Sequence, residues 1–228
     1  MLKAGQEKIR IAAFDLDGTI LDGESPLILT RNLLGHRQLP FHTGVKMGAW
    51  GIRYRLRLPQ DERLPRELLF TAFKDMTVEE ADAKILEVYR SKIAGRIKEA
   101  ARAEIKACLD EGLVPILASA SFKPITTAVV DELGFAGHVS TVMEEREGRY
   151  TARVQGAPVQ GPEKLKRLNA YCNGVFGTGA WQLERAYGDH FSDITLLAAA
   201  KHPVAVDPDG LLSKVAGLLG WEVVQWED

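Results

Sequence analysis

Cysteine is almost missing from this chain. Cys108 and Cys172 are the only two, too few for a disulfide framework or a thiolate metal cage. Their expected place is in the packed interior, in a reducing compartment. An excess of one charge is also missing. Twenty-nine Lys and Arg against thirty-one Asp and Glu leave a formal net charge of −2, which argues against a general nucleic-acid binder. No run is long and apolar enough to span a bilayer. The opening segment Met1–Glu7 lacks the apolar centre of a signal peptide, so a cytoplasmic protein is expected. Internal repeats and low-complexity tracts are missing too.

What is there suits a globular chain of 228 residues with 46% hydrophobic content, long enough to bury a real core. Ile9–Ala13 reads as a short buried strand. Helical signals then fill residues 26–93. Pro26 follows Ser25 as a helix start, and a helix over 27–34 stops at Gly35. A helix is expected within 40–58, and another over 65–73. Thr77 with Glu80 forms a capping box ahead of Ala81, Ile85, Leu86 and Tyr89.

From about Ile97 the pattern alternates. Helices are expected over 100–110, 124–133, 162–171, 192–200 and 211–219. Strands are expected over 113–118, 183–187, 204–206 and 222–226. A hairpin is expected from 139–144 and 150–154 across Gly148. This alternation predicts an α/β fold, Rossmann-like and doubly wound, with a mainly parallel sheet covered on both faces. Residues 1–21 and 96–228 would form that core, and 22–95 an inserted all-helical cap.

The stretch Phe14-Asp15-Leu16-Asp17-Gly18-Thr19 organises the chain. It puts two carboxylates at the C-terminal end of a buried strand, where open α/β sheets place their ligands. Residues two apart in an extended segment face the same way, so Asp15 and Asp17 would repel unless a cation or a shared proton relieved them. Gly18 permits a sharp turn whose N–H groups can cradle a phosphate. Taken alone, the same residues also describe a solvated Asp-Gly turn. Downstream, Ser119-Ala120-Ser121 ends the second strong strand, and its hydroxyls and N–H groups can hold a phosphate oxygen. Lys164 begins the helix after Gly161-Pro162. Tyr187-Gly188-Asp189-His190-Phe191-Ser192-Asp193 again brings carboxylates to a strand end, although Asp193 could simply cap a helix.

In this order, the four strand-end elements resemble the haloacid dehalogenase superfamily. The Ser119-Ala120-Ser121 turn, the helical insertion directly after the first motif, the stretch Glu147–Thr151 and the end Pro203–Asp209 are similar to its phosphoserine-phosphatase-like branch. Two departures are visible: Ser192 stands where many members have Asn, and Val159 where many have Cys.

The resemblance implies a Mg²⁺-dependent phosphomonoester hydrolase acting on a small organic phosphate. Asp15 would be the nucleophile and Asp17 the general acid and base. The metal would be held by the Asp15 and Asp189 carboxylates and the Asp17 carbonyl. Gly18, Thr19, Ser119, Ala120 and Lys164 would bind the phosphoryl group. Asp193, with Ser192 beside it, would support Lys164 or a metal-bound water. Glu24 matches an acidic cap residue of phosphoserine phosphatases. Asp17 argues against dehalogenation, because dehalogenase relatives lack an acid/base aspartate there.

One further absence bears on the substrate. Residues 25–60 contain no Asp or Glu, yet hold Arg31, Arg37, Lys46, Arg53, Arg55 and Arg57 between apolar residues. This is either a solvated basic face or a surface for an anionic molecule with an apolar body. In the second case Arg53, Arg55 and Arg57 would contact a bulky phosphorylated metabolite, or a lipid-like phosphate during peripheral membrane contact. Phosphotransfer or mutase chemistry, and a non-catalytic binding module, stay open as alternatives. The oligomeric state is not legible.

Overall fold

The computed structural model describes residues 7–55 and 61–226, with the backbone alone for residues 41 and 53–55. Strand β1, Ile9–Phe14, leads into the aspartate turn. Among the described residues four α-helices follow: α1 at Ser25–Gly35, α2 at Phe41–Arg55, α3 at Leu64–Phe70 and α4 at Val78–Val88. Next come α5 at Glu99–Asp110, β2 at Val114–Phe122, α6 at Lys123–Leu133, β3 at Gly137–Thr141, β4 at Met143–Arg146 and β5 at Arg149–Val154. The chain closes with α7 at Pro162–Phe176, β6 at Trp181–Gly188, α8 at Ile194–Leu197, β7 at His202–Val206, α9 at Gly210–Leu219 and β8 at Glu222–Val224.

Six strands form one parallel sheet in the order β3-β2-β1-β6-β7-β8. Strand order reverses at β1. The chain leaves β1 toward β2 and β3 on one side, then returns to build β6, β7 and β8 on the other. A crevice therefore opens beyond the C-terminal end of β1.

Alternation along β1 divides the interior in two. Ala12 and Phe14 face one core, with Ala101, Ile105 and Cys108 of α5 and Ile125 and Val129 of α6. Ile11 and Ala13 face the other, with Leu168 and Cys172 of α7, Leu196 and Leu197 of α8, and Leu212 and Ala216 of α9. The doubly wound expectation holds. Both cysteines are buried free thiols.

The helices over 25–93 do not form a separate ball. Leu29, Leu33, Leu69, Phe70, Ala81 and Ile85 continue the first core without a break. Leu21 and Ile97 form an antiparallel bridge at the base of this insertion. The capping box is present, with Glu80 N–H donating to Thr77 Oγ1 at 3.2 Å and Thr77 N–H to Glu80 Oε2 at 3.0 Å.

Two local expectations need correction. The hairpin expected from 139–144 splits: Gly137–Thr141 joins the main sheet as β3, and only Met143–Arg146 turns back against β5. Glu147 and Gly148, with φ of 50° and 74°, make that turn, which needs positive φ at both positions. A run of Val139, Ser140 and Thr141 looks alike in either sheet, so only packing against β2 decides. The helix expected over 192–200 is a 3₁₀ turn at Phe191–Asp193 followed by four residues of α-helix, and its end tightens into i→i−3 bonds from Ala199 N–H to Leu196 O and Ala200 N–H to Leu197 O.

Candidate active site

The floor of the crevice is made by the C-terminal ends of β1 and β6. Asp15 N–H donates to the Tyr187 carbonyl at 3.0 Å, fixing the two strand ends together. Beyond Asp15 the chain turns sharply: Ile20 N–H returns to Leu16 O, and Gly18 N–H reaches Leu21 O and Gly23 O. Gly18 has φ +81°, and a Cβ there would lie 2.1 Å from Asp189 Oδ2. Only glycine permits both the turn and the carboxylate's approach. At Gly188 space alone decides, since an added Cβ would lie 2.7 Å from Asp193 Cβ.

Lys164, at the start of α7, reaches into the same floor. Its Nζ is 2.9 Å from Asp15 Oδ1 and 2.5 Å from Asp193 Oδ1, with its side chain only 2% exposed. Burial alone would depress its pKa, but the two carboxylates outweigh it and hold the ammonium charged. Burial raises Asp15 well above the usual carboxylate range; Lys164 opposes, and Asp193, Asp189 and Asp17 reinforce. Asp189 is pushed up to about 7, by burial and then by Asp193. Thr19 Oγ1 donates to it at 2.9 Å.

Asp17 points toward the insertion, accepting from Ser25 N–H at 2.6 Å. Burial holds its pKa up, and the Ser25 bonds, Lys164 and Arg66 pull against it. Glu24 stands beside it at the N-cap position of α1, with no side-chain bond to the helix N–H groups. Burial, then the charges of Asp17, Asp189 and Asp193, push its pKa to about 8.

One carboxylate oxygen each from Asp15, Asp189 and Asp193 lie within 4.8 Å of one another. An all-oxygen donor set crowded by like charges suits a hard divalent cation. Five acidic side chains around Lys164, those of Asp15, Asp17, Glu24, Asp189 and Asp193, leave negative charge that such an ion would balance. These three could therefore hold a divalent metal.

The expected residues come together unevenly. Asp15, Asp17, Glu24, Ala120, Lys164, Asp189 and Ser192 all line one cavity of about 500 Å³, and His190 lies at its edge with them. Thr19 and Asp193 stand behind it, bonded to Asp189 and Lys164. Ser119 is fully buried, and its Oγ accepts from Ser121 N–H at 3.0 Å. The side chains of Arg53 and Arg55, and all of Arg57, lie outside the described residues. Trp181 starts β6, at the end of that strand opposite the site, and donates to Asn173 at 2.9 Å.

Three residues escaped sequence reasoning. Arg66 of α3 donates to Ala120 O at 3.2 Å, Glu62 O at 2.6 Å and Gln160 Oε1 at 3.0 Å. It thereby ties the insertion and the α7 loop to the end of β2. Gln160 is its partner, and nothing in the sequence but its place before Gly161-Pro162 marks it. Lys98 donates to Gly18 O at 2.7 Å and pairs with Asp207 at 2.8 Å, a long-range meeting that no local pattern announces.

Comparisons with known proteins agree with this geometry. A family model of haloacid dehalogenase-like hydrolases matches residues 12–198. The chain is 25% identical over 217 residues to phosphoserine phosphatase SerB1 of Mycobacterium tuberculosis, covering 93% of this chain and 69% of that one. It is 32% identical over 115 residues to a histidinol-phosphatase of Neisseria meningitidis, covering 45% and 47% of the two chains. A Bordetella pertussis protein of unknown function superposes with a TM-score of 0.86 at 25% identity, covering 97% of this chain and all of that one.

Proposed function

Since the chain belongs to the haloacid dehalogenase-like hydrolase family, we propose that it is a phosphomonoesterase of the phosphoserine-phosphatase-like branch, working through an aspartyl-phosphate. The observation that carries this is the placement of Asp15. It ends the central strand on the cavity floor, 2.9 Å from a buried lysine and grouped with Asp189 and Asp193.

The Asp15 carboxylate attacks phosphorus as the bond to the leaving alkoxide oxygen breaks. Asp17, kept above the usual carboxylate range by burial, carries the proton that the leaving oxygen needs. In the second half it takes a proton from the water that attacks the aspartyl-phosphate, and Asp15 is regenerated. Lys164 and the Ala120 N–H offset the phosphoryl charge, with Ser119, Gly18 and Thr19 shaping the loops that present them. Asp193 positions Lys164, and Ser192 bonds His190 at 3.0 Å beside it. Asp15 and Asp189, with the Asp17 carbonyl, would hold Mg²⁺. When bound, the ion supplies charge neutralisation between the anionic phosphate and the anionic nucleophile.

Residues 22–95 act in this reading as a cap over the core of 1–21 and 96–228. Glu24 and the arginines at 53, 55 and 57 would meet the substrate body there. Two free buried thiols accord with a reducing, cytoplasmic setting. Among the described residues, no helix is long and apolar enough to cross a membrane.

The test is phosphate release from a panel that includes phosphoserine and histidinol phosphate, with Mg²⁺, with EDTA, and with Asp15→Asn. Metal-dependent release, lowered about 10⁴-fold or more in the variant, is expected. Release that survives Asp15→Asn would sink the nucleophile assignment. No release from any ester would sink the reading itself.

A further inference from the structure

The cavity has a half that the chemistry above does not use. From the carboxylate floor it continues outward between α1, α2 and α3. There the wall is hydrocarbon: Leu27 and Leu34 of α1, Met47 and Trp50 of α2, and Leu69 of α3. Leu27 remains 45% exposed, an apolar side chain left uncovered on a wall rather than packed. Trp50 spends its N–H on the Asp61 carbonyl at 2.9 Å, and Thr30 spends its hydroxyl on Pro26 O at 2.7 Å. The polar groups of this half are thus engaged with the protein itself, apart from Arg31 on the exposed rim.

Helix α2 adds a second observation. Gly44, Gly48 and Gly51 share the face that lines the cavity. Glycine is the poorest helix former short of proline, so three on one face go against local propensity. Gly44 has a packing reason, since a Cβ there would lie 2.9 Å from Leu34 Cδ1. Among the described residues Gly48 and Gly51 have none, because a Cβ at either would meet none of their atoms within 4 Å. They keep space open along an apolar wall.

At about 500 Å³ the cavity falls in the range of sites that enclose drug-sized ligands, roughly 300–1,000 Å³. A small polar ester such as phosphoserine would fill the floor and leave hydrocarbon facing water. Its charged body would gain no partner from that wall and would lose hydration there.

We infer that the phosphomonoester taken here carries an extended apolar body, aliphatic or aromatic, seated against Leu27, Leu34, Met47, Trp50 and Leu69 while its phosphate lies over Asp15. This rests on the phosphatase reading above and names the class of its substrate. The alcohol released is hydrophobic, so the reaction that supplies the substrate must phosphorylate, or build, a hydroxyl on an apolar skeleton.

The experiment compares kcat/KM for ethyl, hexyl and 3-phenylpropyl phosphate with that for phosphoserine, in Mg²⁺. The three alkyl esters share a primary alkoxide leaving group, so differences report the body and not its basicity. The hexyl or phenylpropyl ester should exceed the ethyl ester and phosphoserine by about tenfold or more, since each buried methylene contributes severalfold. Calorimetric binding of hexylphosphonate against ethylphosphonate should show the same preference without turnover.

Gly48→Leu, which improves helix propensity and fills the open space, should cut the hexyl-to-ethyl ratio about tenfold. Leu27→Asn, at a half-exposed position, should lower that ratio in the same direction. Equal kcat/KM for ethyl and hexyl phosphate, or phosphoserine as the best substrate, would overturn the inference and leave the phosphatase reading standing. No phosphate from any ester overturns the reading and the inference with it.

Discussion

The floor of the cavity and its outer wall are built on opposite principles. On the floor each side chain is held by a directional partner: Lys164 by Asp15 and Asp193, Asp189 by Thr19, Asp17 by the backbone N–H of Ser25. Charges are buried, and strand ends and glycines with no room for a Cβ fix their places. The wall is apolar and is held mainly by packing, with empty space beside Gly48 and Gly51. Directional bonds in a dry site fix geometry to a fraction of an ångström, as bond making requires. Apolar contact is non-directional and scales with area, so it selects a substrate by size and polarity. Changes on the floor should therefore act on every ester alike, and changes on the wall should act on the choice among esters.

The strongest break beyond the nucleophile is Asp17→Asn. It removes the proton donor while its amide can still meet Ser25. A fall in kcat of about 10²–10⁴-fold is expected, the range for a lost general acid, and equal for short and long esters. The loss should be smaller for aryl phosphates, whose leaving oxygens need less protonation. An equal loss for alkyl and aryl esters would assign Asp17 a positioning role instead.

Lys98→Met tests the support beneath the floor. Lys98 joins Gly18 O and Asp207, and Asp207 in turn accepts from Trp226 N–H at 2.9 Å. Removing the cation leaves the largely buried Asp207 carboxylate without its charged partner. A stability loss of about 3 kcal/mol is expected, at the low end for broken buried pairs, read from urea unfolding. A drop below about 1 kcal/mol would mean that Asp207 finds water instead.

Gly18→Ala is smaller in stability and larger in consequence. The left-handed φ costs about 1–2 kcal/mol with a Cβ, and the methyl displaces Asp189, whose Oδ2 lies 2.1 Å from where it would be. Higher Mg²⁺ should be needed for half-maximal rate, with the preference among esters retained.

Much of the floor was legible in the sequence because its parts obey local rules. A strand that ends in Asp-x-Asp-Gly-Thr, a Pro-led helix start before Lys164, and a Gly-Asp strand end announce themselves residue by residue. The parallel sheet followed from alternating strand and helix signals. Arg66 and Lys98 were not legible, because the partners that tie them to the site, Ala120 O and Gly18 O, lie 54 and 80 residues away and each reads by itself as a solvated cation. Ser119 was expected at the phosphate; its Oγ accepts from Ser121 N–H, which leaves its own hydroxyl proton to donate, a local arrangement that composition does not encode. The wall was half legible: residues 25–60 set apolar side chains, Met47 and Trp50 among them, between their cations. That Gly48 and Gly51 leave open space appears only once α2 is placed against α1 and α3.

The insertion repeats the contrast on a smaller scale. Helix α4 carries a complete capping box, while α2 carries no acidic residue in its first turn. The Thr77 and Glu80 bonds satisfy two backbone N–H groups that would otherwise go unpaired within the helix. They also hold the Glu80 pKa below the ordinary carboxylate value, through the Thr77 bonds first. A carboxylate with a depressed folded pKa contributes stability that is fully present above its unfolded value near 4.5 and is lost as pH falls through the folded value. Thr77→Ala should cost about 1 kcal/mol at pH 7, the usual figure for a lost N-cap. The gap between variant and parent should narrow as pH drops below 4.5. Activity and the preference among esters should not change, because no residue of α4 lines the cavity. A changed ester preference in Thr77→Ala would show that the anchored and open parts of the insertion move together.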